Sequence, residues 1–145
     1  MSATGLEVFD TTVQKTMTWL KDLMEELHWD DRHRAYLALR GSLHQVRDRL
    51  PVEEVAHLGA QLPMLVRGIY YEGWDPTRNP SRERTVEEFA GGMVDYFPRE
   101  VLYDYERVMR GCLRVLSQQV DPGIVRHIRG VMPRPIAELW DEAPV

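Results

Sequence analysis

The chain has 145 residues, of which 43% are hydrophobic and 28% charged, a composition typical of globular proteins that excludes a fibrous or wholly disordered chain. Its net charge of −5 disfavours nonspecific binding to nucleic acid, which needs an excess of cations along the phosphates. The single cysteine, Cys112, excludes an intrachain disulfide and a multi-thiolate metal site within one chain.

The N-terminal residues have neither the basic start nor the apolar run of a signal peptide. No stretch reaches the roughly 18 apolar residues of a membrane-spanning helix. We therefore expect a cytoplasmic location and no membrane partner.

A long amphipathic helix is predicted at the start of the chain, because apolar residues recur there every three or four positions and so fall on one stripe. This stripe comprises Leu6, Phe9, Val13, Met17, Leu20, Met24 and Leu27. The helix is expected to stop near His28. Asp30 and Asp31 are candidate N-caps of a second helix, whose predicted buried face comprises Tyr36, Leu39, Leu43, Val46 and Leu50.

Two prolines divide the next segment into a third and a short fourth helix. Pro51 suits the first turn of the third helix, with Glu53 and Glu54 near its positive end. Pro63 then separates the third helix from the fourth. No segment alternates with a period of two, so no sheet is expected.

Residues 74–84 lie in the stretch "EGWDPTRNPSRERT", which is rich in turn-forming residues and has no apolar periodicity. We expect an exposed connection there, and the most mobile segment of the chain.

The sequence matches itself at an offset of 70 residues, with "LRGSL" against "MRGCL" as the best part. Seven of the aligned positions are identical: Arg40/Arg110, Gly41/Gly111, Leu43/Leu113, Val55/Val125, His57/His127, Pro63/Pro133 and Glu72/Glu142. The match predicts an internal duplication: an all-α protein of two similar four-helix halves packed as one compact helical domain. The halves are residues 1–73 and 85–145, joined by 74–84.

The second half should repeat the features of the first. Its second helix is predicted to bury Leu102, Tyr105, Met109, Leu113, Leu116 and Val120, and Asp121 with Pro122 should begin the next helix. Gly41 and Gly111 lie inside helices, where glycine costs roughly 1 kcal/mol relative to alanine. Their recurrence indicates either close helix contact or a kink.

Glu54 and His57 have the E-x-x-H spacing of helical metal sites, which also need further inward glutamates and a second such pair. The second half has Ile124 in place of Glu54, so no metal site and no cofactor are predicted. Cys112 falls within the apolar spacing of its helix and is interpreted as a core residue. With no nucleophile elbow, phosphate loop or dinucleotide fingerprint, no catalytic residue is predicted.

The repeated histidines and arginines leave alternatives open. His57 and His127 are interpreted as packing residues or as ligands of a small molecule or metal bound between the halves. Arg40 and Arg110 are either part of that same site or internal ion-pair partners of carboxylates such as Glu72 and Glu142. The other histidines, His28, His33 and His44, are expected at the surface.

The aromatic stretch "IYYEGW" is the strongest candidate for contact with a protein partner. Tyr70, Tyr71 and Trp74 follow one another around a short helix and its exit, and Arg67 lies one turn earlier. Tyrosine, tryptophan and arginine are enriched where binding energy concentrates. Arg67, Tyr71 and Trp74 are therefore the predicted partner-binding residues; the alternative is that the aromatic rings seal the seam between the halves.

The stretch "LPVEEVAHLGAQLPMLVRGIYYEGWDP" resembles a bacterial family catalogued as domain of unknown function 2267. The residues that carry the resemblance include Pro51, Glu54, Gln61, Pro63, Arg67, Tyr70, Tyr71, Gly73 and Trp74, and it covers nearly the whole chain. The resemblance implies a small helical bacterial protein with stress-associated relatives. It implies no activity, cofactor or functional residue.

The sequence as a whole favours a noncatalytic module for protein interaction or self-assembly. The alternative is a protein that binds a small ligand or metal between its halves.

Overall fold

The computed structural model describes residues 2–141, which form eight α-helices and no strand. The helices are α1 (Glu7–Leu27), α2 (Arg32–Arg49), α3 (Val52–Gly59), α4 (Met64–Tyr71), α5 (Val86–Gly91), α6 (Tyr105–Gln119), α7 (Pro122–Gly130) and α8 (Arg134–Ala137). Short 3₁₀ turns span Pro76–Arg78, Gly92–Tyr96 and Glu138–Trp140. The all-α class is confirmed. No helix in this described part has the length and hydropathy needed to cross a bilayer.

The helix ends follow local chemistry. α1 ends at His28, which adopts the left-handed conformation with φ of 56°. Asp31 caps α2 by accepting a hydrogen bond from a backbone N–H in its first turn. Asp121 caps α7, and Pro122 is the first residue of that helix, as predicted. Pro51 was predicted in the first turn of α3, but it is the N-cap residue and the helix begins at Val52.

Side chains from both ends of the chain meet in a single hydrophobic core. α1 packs against α2 and α6, α2 packs against α6, and α4 and the turn Gly92–Tyr96 also contact α2. The largest fully buried side chains include Leu43, Tyr70, Phe89, Met93 and Leu113. Residues before and after the connection thus exclude water from the same interior.

The two glycines that recur at offset 70 both lie at close contacts. A Cβ on Gly111 would lie 2.6 Å from Cδ2 of Leu27 on α1, and one on Gly41 would lie 3.2 Å from the ring of Tyr96. Close helix contact at both glycines is therefore confirmed.

The predicted stripe of α1 is wrong in its first two turns. Leu6, Phe9 and Val13 are exposed, whereas Thr12 and Thr16 are buried. The Thr12 hydroxyl accepts a hydrogen bond from the backbone N–H of Leu65, at 2.8 Å, in the first turn of α4. That N–H has no acceptor within its own helix, so contact with α4 turns the hydroxyl side of α1 inward and leaves the apolar side in solvent.

Leu102 was also predicted to be buried, and this is wrong. α6 begins only at Tyr105, with Asp104 as its N-cap, so Leu102 precedes the helix. Its residue is 95% exposed and neighbouring Val101 is 43% exposed.

The connection between the predicted halves is largely exposed but is held to the end of α2. Asn79 donates hydrogen bonds to the carbonyls of Arg47 and Leu50, at 2.6 and 2.9 Å. It also accepts one from the indole of Trp74, at 2.8 Å. The backbone of Ser81 donates to the carbonyl of Asp48 at 2.7 Å. These bonds oppose the mobility predicted for this segment.

His44 is buried rather than at the surface. Nε2 lies 2.7 Å from the carbonyl oxygen of Ile69, and Nδ1 lies 2.8 Å from the hydroxyl of Tyr96. Because a carbonyl only accepts, Nε2 carries the proton and Nδ1 accepts from the tyrosine. Burial lowers the pKa of His44 below its ordinary value, and the charges of Arg47 and Arg40 act in the same direction.

Candidate functional site

The three predicted partner-binding residues lie close together around α4 and its exit. The guanidinium of Arg67 donates from Nε to the carbonyl of Gly59 (3.0 Å) and from Nη2 to that of Leu62 (2.9 Å). It thereby bonds one carbonyl at the C-terminus of α3 and one in the turn that leads to α4. The side chain of Arg67 is thus held by its own chain, with Nη1 left over.

The two aromatic residues are half-buried. Tyr71 packs against Gly59, where a Cβ would lie 2.3 Å from the tyrosine oxygen. Its ring centroid lies 4.9 Å from that of Tyr70 and 5.7 Å from that of Trp74. The Trp74 N–H is bonded to Asn79. Much of the cluster therefore packs within the chain, and its role in partner binding stays a prediction.

The repeated arginines have different partners in the structure. Arg40 forms an ion pair with Glu72, which is one of the two alternatives given by the sequence, and its guanidinium carbon lies 5.5 Å from the ring centroid of Tyr96. Arg110 forms an ion pair with Glu106 at 3.2 Å and donates to backbone carbonyls near the end of the described chain. Glu142, its other proposed partner, lies outside the described residues.

The repeated histidines are brought together by one carboxylate. Nε2 of His127, on α7, lies 2.9 Å from one oxygen of Glu54, and Nδ1 of His57 lies 3.3 Å from the other. Burial acts to raise the pKa of Glu54, but hydrogen bonds from His127 and His57 outweigh it and hold the pKa below its ordinary value. This arrangement joins α3 to α7. Both imidazoles are more than half exposed.

Within residues 2–141, no group of three or more histidine, cysteine, aspartate or glutamate side chains is arranged to hold a metal ion. The E-x-x-H pair of Glu54 and His57 is in contact on α3, where Nδ1 of His57 lies 3.3 Å from a carboxylate oxygen of Glu54. The thiol of Cys112 is buried, and burial raises its pKa to about 12, so it stays protonated and unreactive at neutral pH.

An apolar groove opens between the N-terminal turns of α1 and the start of α4. It encloses about 410 Å³, and its exposed walls are apolar. The residues that form it include Phe9, Val13, Met64, Leu65 and Gly68. Phe9 and Val13 are 46% and 42% exposed, and Met64 is 51% exposed. We call this surface the apolar groove.

A second groove of about 500 Å³ lies on another side of Met64, where α1 meets the α3–α4 turn and the end of α6. Its polar lining consists of Lys15, Thr18, Gln61, Arg67 and Gln119. None of its lining residues is an aspartate or a glutamate. We call this surface the donor groove.

Comparison with known protein families assigns the chain to one of them. The family described as "Uncharacterized conserved protein (DUF2267)" matches residues 16–139. The chain belongs to this DUF2267 family. The resemblance identified from the sequence is confirmed, and the matched range includes all of α2 to α8. No curated protein matches the chain.

The DUF2267 match begins within α1, so the exposed residues Phe9 and Val13 of the apolar groove precede it. Sequence reasoning placed these two residues in the core and did not single out Lys15 of the donor groove. The sequence contains one feature that could have identified the exposed side of α1 and one that could have identified Lys15. Thr12 and Thr16 interrupt the apolar content of α1 at helical spacing, and Lys15 is one of only two lysines in the chain.

Proposed function

We propose that the protein is a noncatalytic protein-interaction module that associates with further copies of its own chain through the apolar groove. The observation that carries this proposal is the exposed apolar side of α1, where Phe9 and Val13 adjoin Met64 and Leu65. A contiguous apolar surface costs free energy in water, and a partner that covers it recovers that free energy.

The chain also has an exposed apolar side chain that could fill the apolar groove of another copy. Leu102 is 95% exposed, and Val101 beside it is also exposed. Both lie next to Tyr103, whose ring centroid is 5.8 Å from that of Trp29, just after the C-terminus of α1. The apolar groove is at the other end of α1, about 30 Å away along a helix that rises 1.5 Å per residue.

Two matching surfaces at opposite ends of one chain favour a head-to-tail contact, in which Leu102 of one copy enters the apolar groove of the next. Such a heterologous contact leaves a free groove and a free leucine at the two ends of every open complex, so it extends into chains unless it closes into a ring. A contact built from so few side chains falls short of the roughly 1,000 Å² of stable complexes. The association should therefore be weak and dependent on concentration.

Sedimentation velocity over a dilution series tests this proposal. The wild-type protein should sediment faster as its concentration rises, because larger complexes form. Val13→Asp places a charge in the apolar groove and Leu102→Asp removes the protruding side chain, so each variant alone should stay monomeric at every concentration. Val52→Asp is the matched control, because Val52 is 41% exposed at the start of α3, outside the groove.

Mixing the two variants distinguishes a head-to-tail contact from a symmetric one. The Val13→Asp chain keeps Leu102, and the Leu102→Asp chain keeps the groove, so a mixture should form one-to-one dimers and nothing larger. A wild-type chain that remains monomeric, or a Leu102→Asp variant that associates as well as wild type, would refute the proposal.

The predicted surface of Arg67, Tyr71 and Trp74 can be compared in the same assay. Tyr71→Ala with Trp74→Ala removes rings that pack on Gly59 and on each other. We expect this double variant to lower stability but to keep the concentration dependence of wild type. If the double variant remains folded but no longer associates, the contact between copies involves this surface.

We also infer that the two halves arose by duplication. The ends of α2 and α6, at Arg49 and Gln119, are 70 residues apart, and so are the starts of α3 and α7, at Val52 and Pro122. The agreement supports the sequence repeat at the same offset. Superposing the Cα atoms of residues 32–71 on 102–141 tests it, and unrelated paths would contradict it.

A further inference from the structure

The donor groove contains an indole whose hydrogen-bonding group has no partner among the described residues. Trp19 is 2% exposed, yet it lines this groove. The only fully enclosed side-chain nitrogen or oxygen without a partner in residues 2–141 is Nε of Arg40. The Trp19 N–H forms no hydrogen bond within this range and is not among these fully enclosed atoms, so part of it reaches the surface of the molecule. A buried donor of this kind is stabilised by an acceptor that enters from outside.

Two cations lie beside the indole. Arg67 is fixed through Nε and Nη2 to the carbonyls of Gly59 and Leu62, so its Nη1 is available. Lys15 forms no ion pair with any residue in the described range, and it lies in the same lining as Arg67. Two carboxylates lie near this lining: Asp22 accepts a 3.2 Å hydrogen bond from Gln119, and Glu7 lines a neighbouring groove that also contains Lys15.

The rest of the donor groove is lined by side-chain amides and by apolar residues. Gln61 and Gln119 provide further N–H donors, while Leu62, Pro63 and Met64 provide apolar surface. The groove has a volume of about 500 Å³, and its exposed lining is more polar than apolar. A small-molecule site uses a few polar groups of this kind to fix the orientation of its ligand. On a chain of net charge −5, a lining with two cations and no carboxylate is selective for negative charge.

We propose that the donor groove binds a small organic anion, whose carboxylate or phosphate oxygens accept hydrogen bonds from Lys15, Arg67 and the indole N–H of Trp19. The apolar part of the ligand packs against Leu62 and Met64. Arginine held in place by two backbone carbonyls is preorganised, so little of its side-chain entropy is lost on binding. This inference does not depend on self-association, because its donors Lys15, Trp19 and Arg67 lie outside the apolar groove, with which the donor groove shares Met64.

The indole resonance of Trp19 gives a direct test by ¹H–¹⁵N NMR, since the chain has only four tryptophans. The probes are phenyl phosphate, inorganic phosphate and phenol. Phenyl phosphate should shift the assigned Trp19 indole peak saturably, inorganic phosphate should do so more weakly, and phenol should leave it in place. A shift with inorganic phosphate as strong as with phenyl phosphate would overturn the apolar part of the proposal.

The two lysines of the chain provide a matched pair of variants. Lys15→Gln should weaken phenyl phosphate binding about tenfold, because it removes one charge-assisted hydrogen bond. Lys21→Gln makes the same change in net charge on the same helix but outside the groove, and it should leave binding unchanged. Gln61→Glu keeps the size of the side chain and adds a carboxylate to the lining, so it should abolish binding.

Three results would overturn the proposal. The first is no saturable shift of the Trp19 indole with either phosphate probe up to about 10 mM, a concentration that detects even weak sites. The second is equal weakening by Lys15→Gln and Lys21→Gln, which indicates general attraction to the protein. The third is unchanged binding in Gln61→Glu. The other three indole peaks report in each variant that the fold is retained.

Discussion

Gly111→Ala tests whether glycine in α6 is required by the close approach of α1. In an open helix interior this substitution stabilises by about 1 kcal/mol, because alanine has the higher helix propensity. At Gly111 the new methyl group would lie 2.6 Å from Cδ2 of Leu27 and 3.3 Å from Cγ of Glu26. Leu27 is 2% exposed, and its side chain would have to shift to admit the methyl group.

Overpacking of a core by one methyl group costs about 1–3 kcal/mol. The gain in helix propensity offsets part of this cost, so Gly111→Ala should change the free energy of unfolding by between roughly zero and a loss of about 2 kcal/mol. Gly68, in α4, is the matched control, because a Cβ there would meet nothing within 4 Å. Gly68→Ala should stabilise by up to about 1 kcal/mol.

The measurement is urea unfolding followed by circular dichroism, with equal m-values required for the comparison. The two variants should differ in the free energy of unfolding by about 1–3 kcal/mol, with Gly68→Ala the more stable. If Gly111→Ala is stabilised as much as Gly68→Ala, within about 0.5 kcal/mol, the contact with Leu27 does not explain the glycine.

Three further predictions concern buried polar groups. The pKa of His44 is lowered in the folded state, so the unfolded chain binds the proton first as the pH decreases. The contribution of neutral His44 to the free energy of unfolding should be complete above pH 6.5 and should decrease below it. In His44→Gln, the urea midpoint should depend less on pH. Cys112, with its pKa raised to about 12, should react with a thiol reagent only when denaturant unfolds the protein, and reaction in buffer would contradict its burial. Arg47→Gln removes donors to the carbonyls of Tyr70 and Glu72, so it should destabilise the protein by about 3 kcal/mol. It should also speed tryptic cleavage within residues 74–84. An unchanged cleavage rate would mean that these bonds do not hold the connection.

The helix ends were predictable from the sequence because their causes are local. A capping aspartate such as Asp31 or Asp121 satisfies N–H groups two or three residues away. Proline fixes its own φ and lacks an N–H donor, so Pro63 and Pro133 mark the boundaries of short helices wherever they are packed. These features require no knowledge of the tertiary structure.

The errors in α1 and at Leu102 have a different origin. Helical periodicity identifies which residues share a face, but it does not say which neighbour covers that face or over how many turns. α4 contacts α1 at Thr12, more than 50 residues away in sequence, and Phe9 and Val13 stay exposed beside this contact. The same limit applies to His44, whose burial depends on Tyr96 and Ile69.

The predicted site residues share a further physical property that the sequence could not reveal. Arginine and histidine satisfy backbone carbonyls and carboxylates equally well inside a chain or across an interface, and here Arg40, His57 and His127 have intrachain carboxylate partners. A side chain engaged in this way must break its bond before it binds a partner. Lys15 has no ion pair in residues 2–141, and the indole N–H of Trp19 forms no hydrogen bond there. Binding to these donors therefore costs no internal bond, which favours the donor groove over the repeated residues as the place where a small anion binds.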